Sequence, residues 1–256
     1  SMKRVVLGIM LTLLLIGMLA LAFNIQPVKA TGTIYIRGDG SIDPPTANIT
    51  SLDNVTYTFT DNNYASIIVE RDNIVVDGAG YTVQGTGTFS SNGIDLSGRR
   101  NVTIKNTTIK TFNYGIWLAS ASDNIITGNN IVDSTDTGII LTSASNNIIT
   151  GNNIAFLLTS AGYGVHFISS VGNTLSENNI EITLVAISID LDGCSNNKIC
   201  ANNVTSTTGI GDGIVLEQSS NNIVSGNKIA NTNSGVGIVT YSSNNTVFAN
   251  DIRLYG

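Results

Sequence analysis

From residue 67 onward, the chain alternates short aliphatic stretches with runs of Asn, Ser, Thr and Gly. Within each stretch the aliphatic residues occupy every second position, which is the spacing of a β-strand with one buried face. No segment after residue 30 keeps the 3.6-residue spacing of an amphipathic helix. The pattern therefore predicts an all-β protein built from many short strands.

The alternation repeats with a period near 24 residues. Aligned on the second Asn of an Asn-Asn pair, or its equivalent, six repeats follow one another at spacings of 23, 26, 24, 25 and 23. An aliphatic residue lies two and seven positions after each anchor, and a further Asn lies five positions after it. The six anchors are Asn124, Asn147, Asn173, Asn197, Asn222 and Asn245.

A repeat of this length with two or three strands predicts one coil of a parallel β-solenoid, and the chain holds about seven to eight of them. Coils stack at about 4.8 Å, so equivalent residues form ladders. We expect the aliphatic ladders to fill the interior and the anchor Asn residues to form a structural ladder at a corner. A buried amide without partners costs about 1–3 kcal/mol, and Asn also tolerates the left-handed conformation of a sharp corner. A leucine-rich repeat has a similar period, but it needs more Leu and a helical or irregular return arm.

The segment Asp72-Asn-Ile-Val-Val-Asp-Gly-Ala-Gly-Tyr81, the segment Asn101-Val-Thr-Ile-Lys-Asn106 and the recurring Asn-Asn-Ile-Ile-Thr-Gly-Asn-Asn-Ile resemble the right-handed parallel β-helix repeat family. That family includes NosD-like proteins and the pectin-lyase-like superfamily, and the resemblance covers roughly residues 67–252. The opening segment 32–40 resembles the lead-in of archaeal surface members. The resemblance implies a right-handed parallel β-helix that binds or cleaves carbohydrate.

The two ends of the chain depart from the repeat. Residues 1–30 read as a secretory signal, with Lys3 and Arg4 before an apolar run and a cleavage position after Ala30; an uncleaved membrane anchor is the alternative. Residues 31–66 are predicted to be an N-terminal cap with a first irregular coil. The repeats of residues 67–256 stop in mid-pattern, which predicts a C-terminal truncation. We therefore expect a secreted or cell-surface protein, with membrane contact only through residues 1–30 or a missing C-terminal anchor.

Charge narrows the classes of partner. Only 12% of the residues are charged, and beyond residue 30 nine basic residues stand against 18 acidic ones, a net charge of −9. A nucleic-acid-binding protein shows the opposite sign, so that class is excluded.

Candidate ligand-binding residues lie on the outward side of the Gly-Ile-x-Leu strands. Trp117 offers a flat ring to a sugar, and His166 is expected to lie beside Ser188. Asp190 and Glu217 are placed in adjacent coils at the same column, and paired carboxylates perform glycoside hydrolysis. Trp117, His166, Asp190 and Glu217 are thus the predicted binding residues, and the last three are the catalytic candidates if the protein is an enzyme.

Motifs that the resemblance associates with enzymes are missing. The sequence has no Asp-Asp with Gly-His-Gly pair of polygalacturonase-like members and no Asp-Pro-His motif of epimerase-like members. Copper would need His, Met or Cys ligands, whereas beyond residue 30 the chain has one His, no Met and two Cys. We expect no cofactor, and Asp190 with Asp192 gives the single, weak indication of calcium.

The sequence thus favours a non-enzymatic protein that binds a polysaccharide, a cell-surface glycan or another surface partner along its sheet faces. The alternative is a polysaccharide lyase or glycoside hydrolase. Six Asn-x-Ser/Thr sequons are candidates for glycosylation, at Asn48, Asn54, Asn101, Asn106, Asn203 and Asn244.

Overall fold

The computed structural model describes residues 32–155, 162–183 and 186–255, and within them it contains strands and no helix. The predicted signal or anchor of residues 1–30 lies outside these ranges. None of the described segments is a helix long and apolar enough to span a membrane. The strands are β1 (Thr33–Ile36), β2 (Ile42–Asp43), β3 (Ile49–Thr50), β4 (Thr56–Phe59), β5 (Ser66–Val69), β6 (Val75–Asp77), β7 (Thr82–Gln84), β8 (Asn92–Asp95), β9 (Thr103–Lys105), β10 (Thr108–Lys110), β11 (Tyr114–Ala119), β12 (Ile125–Thr127), β13 (Asn130–Val132), β14 (Thr137–Thr142), β15 (Ile148–Thr150), β16 (Asn153–Ala155), β17 (Tyr163–Ile168), β18 (Thr174–Ser176), β19 (Asn179–Ile182), β20 (Ile187–Asp192), β21 (Lys198–Cys200), β22 (Asn203–Ser206), β23 (Asp212–Glu217), β24 (Ile223–Ser225), β25 (Lys228–Thr232), β26 (Ser234–Val239), β27 (Thr246–Phe248) and β28 (Asp251–Leu254).

These strands form three sheets that run the length of the repeats. Sheet A has the order β2-β1-β5-β8-β11-β14-β17-β20-β23-β26, sheet B runs from β3 and β4 through β6 and every third strand to β27, and sheet C runs from β7 to β28 in the same way. At the N-terminal end, β2 pairs antiparallel with β1 in sheet A and β3 pairs antiparallel with β4 in sheet B, whereas the repeat strands pair in parallel. The prediction of a parallel β-solenoid with about eight turns of some 24 residues is confirmed.

The interior is made of stacked aliphatic columns, one or two from each sheet. In sheet B, Ile126 pairs with Ile149, and in sheet C, Ile131 pairs with Ile154. These side chains are fully buried. The alternation seen in the sequence therefore corresponds to side chains that point alternately inward and outward along each strand, as a sheet with one buried face requires.

The anchor Asn residues form the predicted ladder. The backbone N–H and side-chain Nδ2 of Asn147 both donate to Oδ1 of Asn173, at 2.9 Å each, and the same pair of bonds joins every successive anchor. A second ladder of the same geometry contains Asn129, Asn152, Asn178, Asn202, Asn227 and Asn250. The amides are thus satisfied along the axis, as a buried polar group must be.

The conformational part of the ladder prediction is wrong in one respect. The left-handed residue is the one before the anchor: Asn146 and Asn196 have φ of 55° and 58°, whereas φ is not positive at the ladder residues Asn147 and Asn197. The two members of an Asn-Asn pair therefore have different structural roles. The first, exposed Asn turns the corner, and the second, buried Asn bonds the neighbouring coils.

Sheet C carries a third, outward Asn row that the sequence analysis did not identify. Asn153 Nδ2 donates to Asn130 Oδ1 at 2.7 Å, Asn179 Nδ2 to Asn153 Oδ1 at 2.8 Å, and Asn203 Nδ2 to Asn179 Oδ1 at 2.6 Å. These side chains are half-buried. The sequence signal is the second Asn of an Asn-Asn-Ile or Asn-Asn-Val motif, directly before the inward aliphatic residue of sheet C.

Two strands of sheet A have a different register from the one expected. In β20, Ile189 pairs with Val165 and Asp190 with His166, and in β26, Gly237 pairs with Val215. The expected alignment placed Ser188 beside His166 and Val239 in the column of Val215. It is wrong by two residues in both strands, because a shift of two leaves Ile189, Asp190 and Leu191 on the faces expected of them, so the alternation does not distinguish the two registers.

Candidate functional site

The outer face of sheet A brings the candidate residues together. Its central column runs, coil by coil, through Asp95, Trp117, Ile140, His166, Asp190, Val215 and Gly237. Tyr114 and Tyr163 project from the same strands three residues before Trp117 and His166, and Asp192 and Glu217 lie in the next outward column. Aromatic and acidic side chains therefore share one flat surface.

Two ring pairs stand on this face. Tyr114 and Trp117 have centroids 4.9 Å apart and are tilted by 60°, and Tyr163 stacks on His166 at 4.1 Å with 22° between the planes. All four rings are half-buried. Each ring is supported on one side by its partner, so the four present fixed aromatic surfaces to a ligand.

His166 and Asp190 form a direct contact across adjacent coils. Nε2 of His166 lies 3.3 Å from Oδ2 of Asp190, and only 14% and 9% of the two side chains are exposed. Oδ1 of Asp190 is buried and has no hydrogen-bond partner. Burial, followed by the charges of Asp192 and Glu217, raises the pKa of Asp190 to about 6. Burial lowers the pKa of His166, so at neutral pH the pair consists of a carboxylate and a neutral imidazole.

The carboxylates that pair across coils are Asp192 and Glu217, since these two residues are directly opposite in β20 and β23. The expected pairing of Asp190 with Glu217 in one column is wrong, because Asp190 lies opposite Val215. The two-residue shift in β20 is the physical reason. Both Asp192 and Glu217 are half-buried, and among the described residues neither forms an ion pair with Lys or Arg.

Ser188 is not part of the face. Ser188 lies in the same column as Gly164 and Gly213 of the adjacent coils. Its side chain is fully buried, and its Oγ has no hydrogen-bond partner among the described residues. Small residues are required in this column. A Cβ at Gly115 would lie 2.5 Å from the carbonyl oxygen of Gly138 in the next coil.

Within the described ranges, no group of three or more His, Cys, Asp or Glu side chains is arranged to hold a metal ion. A shallow cleft of about 260 Å³ lies elsewhere, lined by Gly80, Asn106, Thr107, Thr108, Gly128 and Asn130. This lining contains no acid or base, so the cleft offers hydrogen bonds but no proton transfer. The outer face of sheet A is therefore the better candidate for chemistry.

Glycosylation at the six sequons remains a prediction, and the structure distinguishes among them. Asn54, Asn101, Asn106 and Asn244 are exposed corner residues with positive φ. Asn48 Nδ2 donates to the carbonyl of Asn62, and Asn203 Nδ2 belongs to the outward Asn row. Asn101 Nδ2 donates to Asn73 Oδ1 at 2.9 Å, and Asn106 Nδ2 donates to Asp77 Oδ1 at 3.2 Å. A glycan on any of these four nitrogens would remove an existing hydrogen bond.

Comparison with known proteins supports the architecture. The family model described as the right-handed β-helix region matches residues 46–187 and 92–252. No curated protein matches the sequence significantly.

Several solved structures are similar to this chain at low identity. DFA-IIIase from Arthrobacter chlorophenolicus A6 is 13% identical over 75% of this chain and 68% of its own, with a TM-score of 0.46. The enzymatically active domain of Bacteriophage CBA120 tailspike protein 2 is 12% identical over 72% of this chain and 27% of its own, with a TM-score of 0.47. Alginate lyase from Paenibacillus sp. is 13% identical over 74% of this chain and 91% of its own, with a TM-score of 0.38. The chain thus spans only about a quarter of the tailspike domain. These likenesses concern the fold alone, and on the family match the chain belongs to the right-handed β-helix family.

Proposed function

We propose that this chain is an exported, non-enzymatic protein that binds a glycan on the outer face of sheet A. The observation that supports the proposal is the row of rings and carboxylates from Trp117 to Glu217, which is interrupted once, at Ile140. This row spans five strands, so four steps of about 4.8 Å give roughly 19 Å, which suits three or four sugar units. Export is inferred from residues 1–30 of the sequence.

The chemistry of the row matches what a sugar presents. The apolar face of a pyranose packs against a fixed ring, and its hydroxyls donate hydrogen bonds to carboxylates. Trp117 supplies the ring, and Asp190, Asp192 and Glu217 supply the acceptors. Because the row has no Lys or Arg side chain, a neutral glycan is favoured over an acidic one.

Titration calorimetry with a panel of neutral oligosaccharides tests the proposal. Trp117→Ala removes the stacking surface, worth about 0.5–1.5 kcal/mol, and should weaken binding about two- to thirteenfold. Phe89→Ala is the matched control, because Phe89 is an 88% exposed aromatic residue outside the face. The proposal is refuted if no glycan binds, or if the two substitutions have the same effect.

A polysaccharide-active enzyme is the second candidate, and one observation favours it. Asp190 combines a pKa raised to about 6 with a contact to His166, and a carboxyl group with such a pKa can donate a proton near neutral pH. The neighbouring Asp192 and Glu217 would supply the second carboxylate. Assays for reducing ends and unsaturated products separate the two functions: an activity that Asp190→Asn abolishes would establish the enzyme.

A further inference from the structure

The central coils have an extreme charge distribution. Between Lys110 and Lys198 the sequence contains no basic residue apart from His166, while it contains seven acidic ones: Asp123, Asp133, Asp136, Glu177, Glu181, Asp190 and Asp192. The ion pairs of the N-terminal coils, such as Lys105 with Asp77 and Arg99 with Asp72, have no counterpart on the outer face of sheet A from β11 onward within the described residues. The face is therefore left with uncompensated negative charge.

The strand register concentrates this charge at one end of the face. Asp190 lies beside His166, Asp192 projects two residues later from the same strand, and Glu217 lies opposite Asp192 in the next coil. We call Asp190, Asp192 and Glu217 the acidic cluster. Like charges on adjacent coils repel one another, which costs stability unless a cation lies between them.

A buried, unpartnered atom within the cluster indicates a ligand. The Asp190 side chain is only 9% exposed, and its Oδ1 accepts no hydrogen bond. An unsatisfied buried carboxylate oxygen costs more than a neutral one, so such groups are normally paired. Burial raises the pKa of the Tyr163 hydroxyl, and the charges of Asp190, Asp136, Asp192 and Glu217 raise it further. Tyr163 and the acidic cluster therefore lie within electrostatic reach of one another.

The rings add a second means of binding a cation. Tyr163 lies against His166 next to the cluster, and a Tyr face attracts an ammonium group through its quadrupole. Carboxylates and an aromatic face together form the usual surroundings of a bound organic ammonium ion. A metal ion fits less well, since the described residues offer no cluster with ligand geometry.

We propose that the acidic cluster and Tyr163 form a subsite for the protonated amine of an amino sugar. This inference rests on the proposed glycan-binding function and specifies its ligand class. The ammonium group donates to the carboxylates of the cluster and relieves their repulsion, while the sugar ring continues along the face toward Trp117.

The test compares two hexasaccharides of equal length, the fully deacetylated glucosamine hexamer and the fully N-acetylated hexamer. Calorimetry near neutral pH, with EDTA present to exclude metal-mediated binding, should show about tenfold tighter binding of the amino form at low salt. This advantage should shrink as salt screens the charges. An oligolysine of equal charge should bind less tightly than the amino sugar.

Two double variants identify the site. Asp192→Asn with Glu217→Gln removes hydroxyl acceptors from both forms alike, but it removes the charge attraction from the amino form alone, so the ratio of the two affinities should fall from about ten to about one. Asp123→Asn with Glu177→Gln makes the same charge change at exposed corner positions and should leave the advantage intact. Thermal unfolding establishes that both variants are folded.

Each outcome is decisive. Equal affinity for the two hexamers overturns the subsite while glycan binding stands. Equal losses in both double variants, or oligolysine binding as tightly as the amino sugar, show general attraction to an acidic surface and also overturn it. Binding of the amino form alone supports the subsite and refutes the preference for neutral glycans. Binding of neither hexamer, nor of any neutral glycan, overturns both proposals.

Discussion

The Asn ladder gives the sharpest test of the fold, at Asn197. Its side-chain Nδ2 donates to the carbonyl of Ser170 at 3.0 Å, to that of Ser195 at 3.1 Å and to Asn222 Oδ1 at 3.1 Å. Its Oδ1 accepts from the backbone N–H of Asn173 at 2.8 Å and from the Nδ2 of the same residue at 3.1 Å. Asn197→Ala removes all five bonds inside the stack.

The expected loss of stability depends on which groups are left without a hydrogen-bond partner. The backbone N–H of Asn173 has Oδ1 of Asn197 as its acceptor, so the substitution leaves a buried donor unsatisfied, at about 1–3 kcal/mol. The carbonyl of Ser170 also loses a donor, and the space of the amide stays empty because the coils above and below are fixed. Asn173 Nδ2 retains bonds to two carbonyls. We expect a loss of about 2–4 kcal/mol in the free energy of unfolding.

Urea unfolding followed by circular dichroism measures this loss, with the m-value checked because long repeat arrays do not always unfold in one step. The neighbouring Asn196 supplies the control: it is exposed with φ of 58°, so Asn196→Gly fits the backbone and should change stability by less than about 0.5 kcal/mol. Asn196→Ala is a poorer control, since Ala in the left-handed region costs about 1–2 kcal/mol. Equal, small effects of Asn197→Ala and Asn196→Gly would refute the ladder as a source of stability.

Three further predictions concern single positions. Because the pKa of Asp190 rises from 3.8 to about 6 on folding, ionisation of this carboxyl group destabilises the native state. The free energy of unfolding of Asp190→Asn should therefore exceed that of wild type by about 1–3 kcal/mol at pH 8 and equal it at pH 3. A difference in urea midpoints that does not depend on pH would contradict this prediction. Gly115→Ala should lower stability by about 1–3 kcal/mol in thermal unfolding because its Cβ meets the next coil, whereas Gly237→Ala, with 3.9 Å of clearance, should not; equal melting temperatures would exclude the proposed clash. Iodoacetamide should label the half-buried Cys200 and leave Cys194 of the folded protein unlabelled, because Cys194 is buried and burial raises the pKa of its thiol to about 11. Peptide mapping that finds both residues labelled would show that the coil opens.

The sequence predicts the coils well because every coil repeats the same constraints. The inward Ile of sheets B and C and the two buried Asn ladders each recur at a fixed distance from the anchor. The corner conformation was assigned to the wrong Asn of the pair, since both members have the same side chain and only burial separates Asn146 from Asn147.

The candidate site is less predictable because it depends on register between coils of unequal length. Sequence places Trp117, His166, Asp190 and Glu217 on one face, but it does not reveal that Asp190 lies beside His166. The informative signal is Ser188, since the tight column of Gly164 and Gly213 accepts only a small residue. Fixing Ser188 in that column fixes the register of β20. The ring pairs depend on side-chain rotamers, which the pattern does not encode.

The bonds of the Asn ladders join each coil only to the one before and the one after it. A complete period is therefore an interchangeable unit, because the coil on either side presents the same groups to whatever lies next to it. Deleting residues 124–146 would bring Asn147 to the place of Asn124 and set His166 directly beside Trp117. The face would become shorter by one step of about 4.8 Å while its chemistry stayed the same. The number of coils therefore sets the length of the outer face of sheet A, and that length changes in whole steps of one coil.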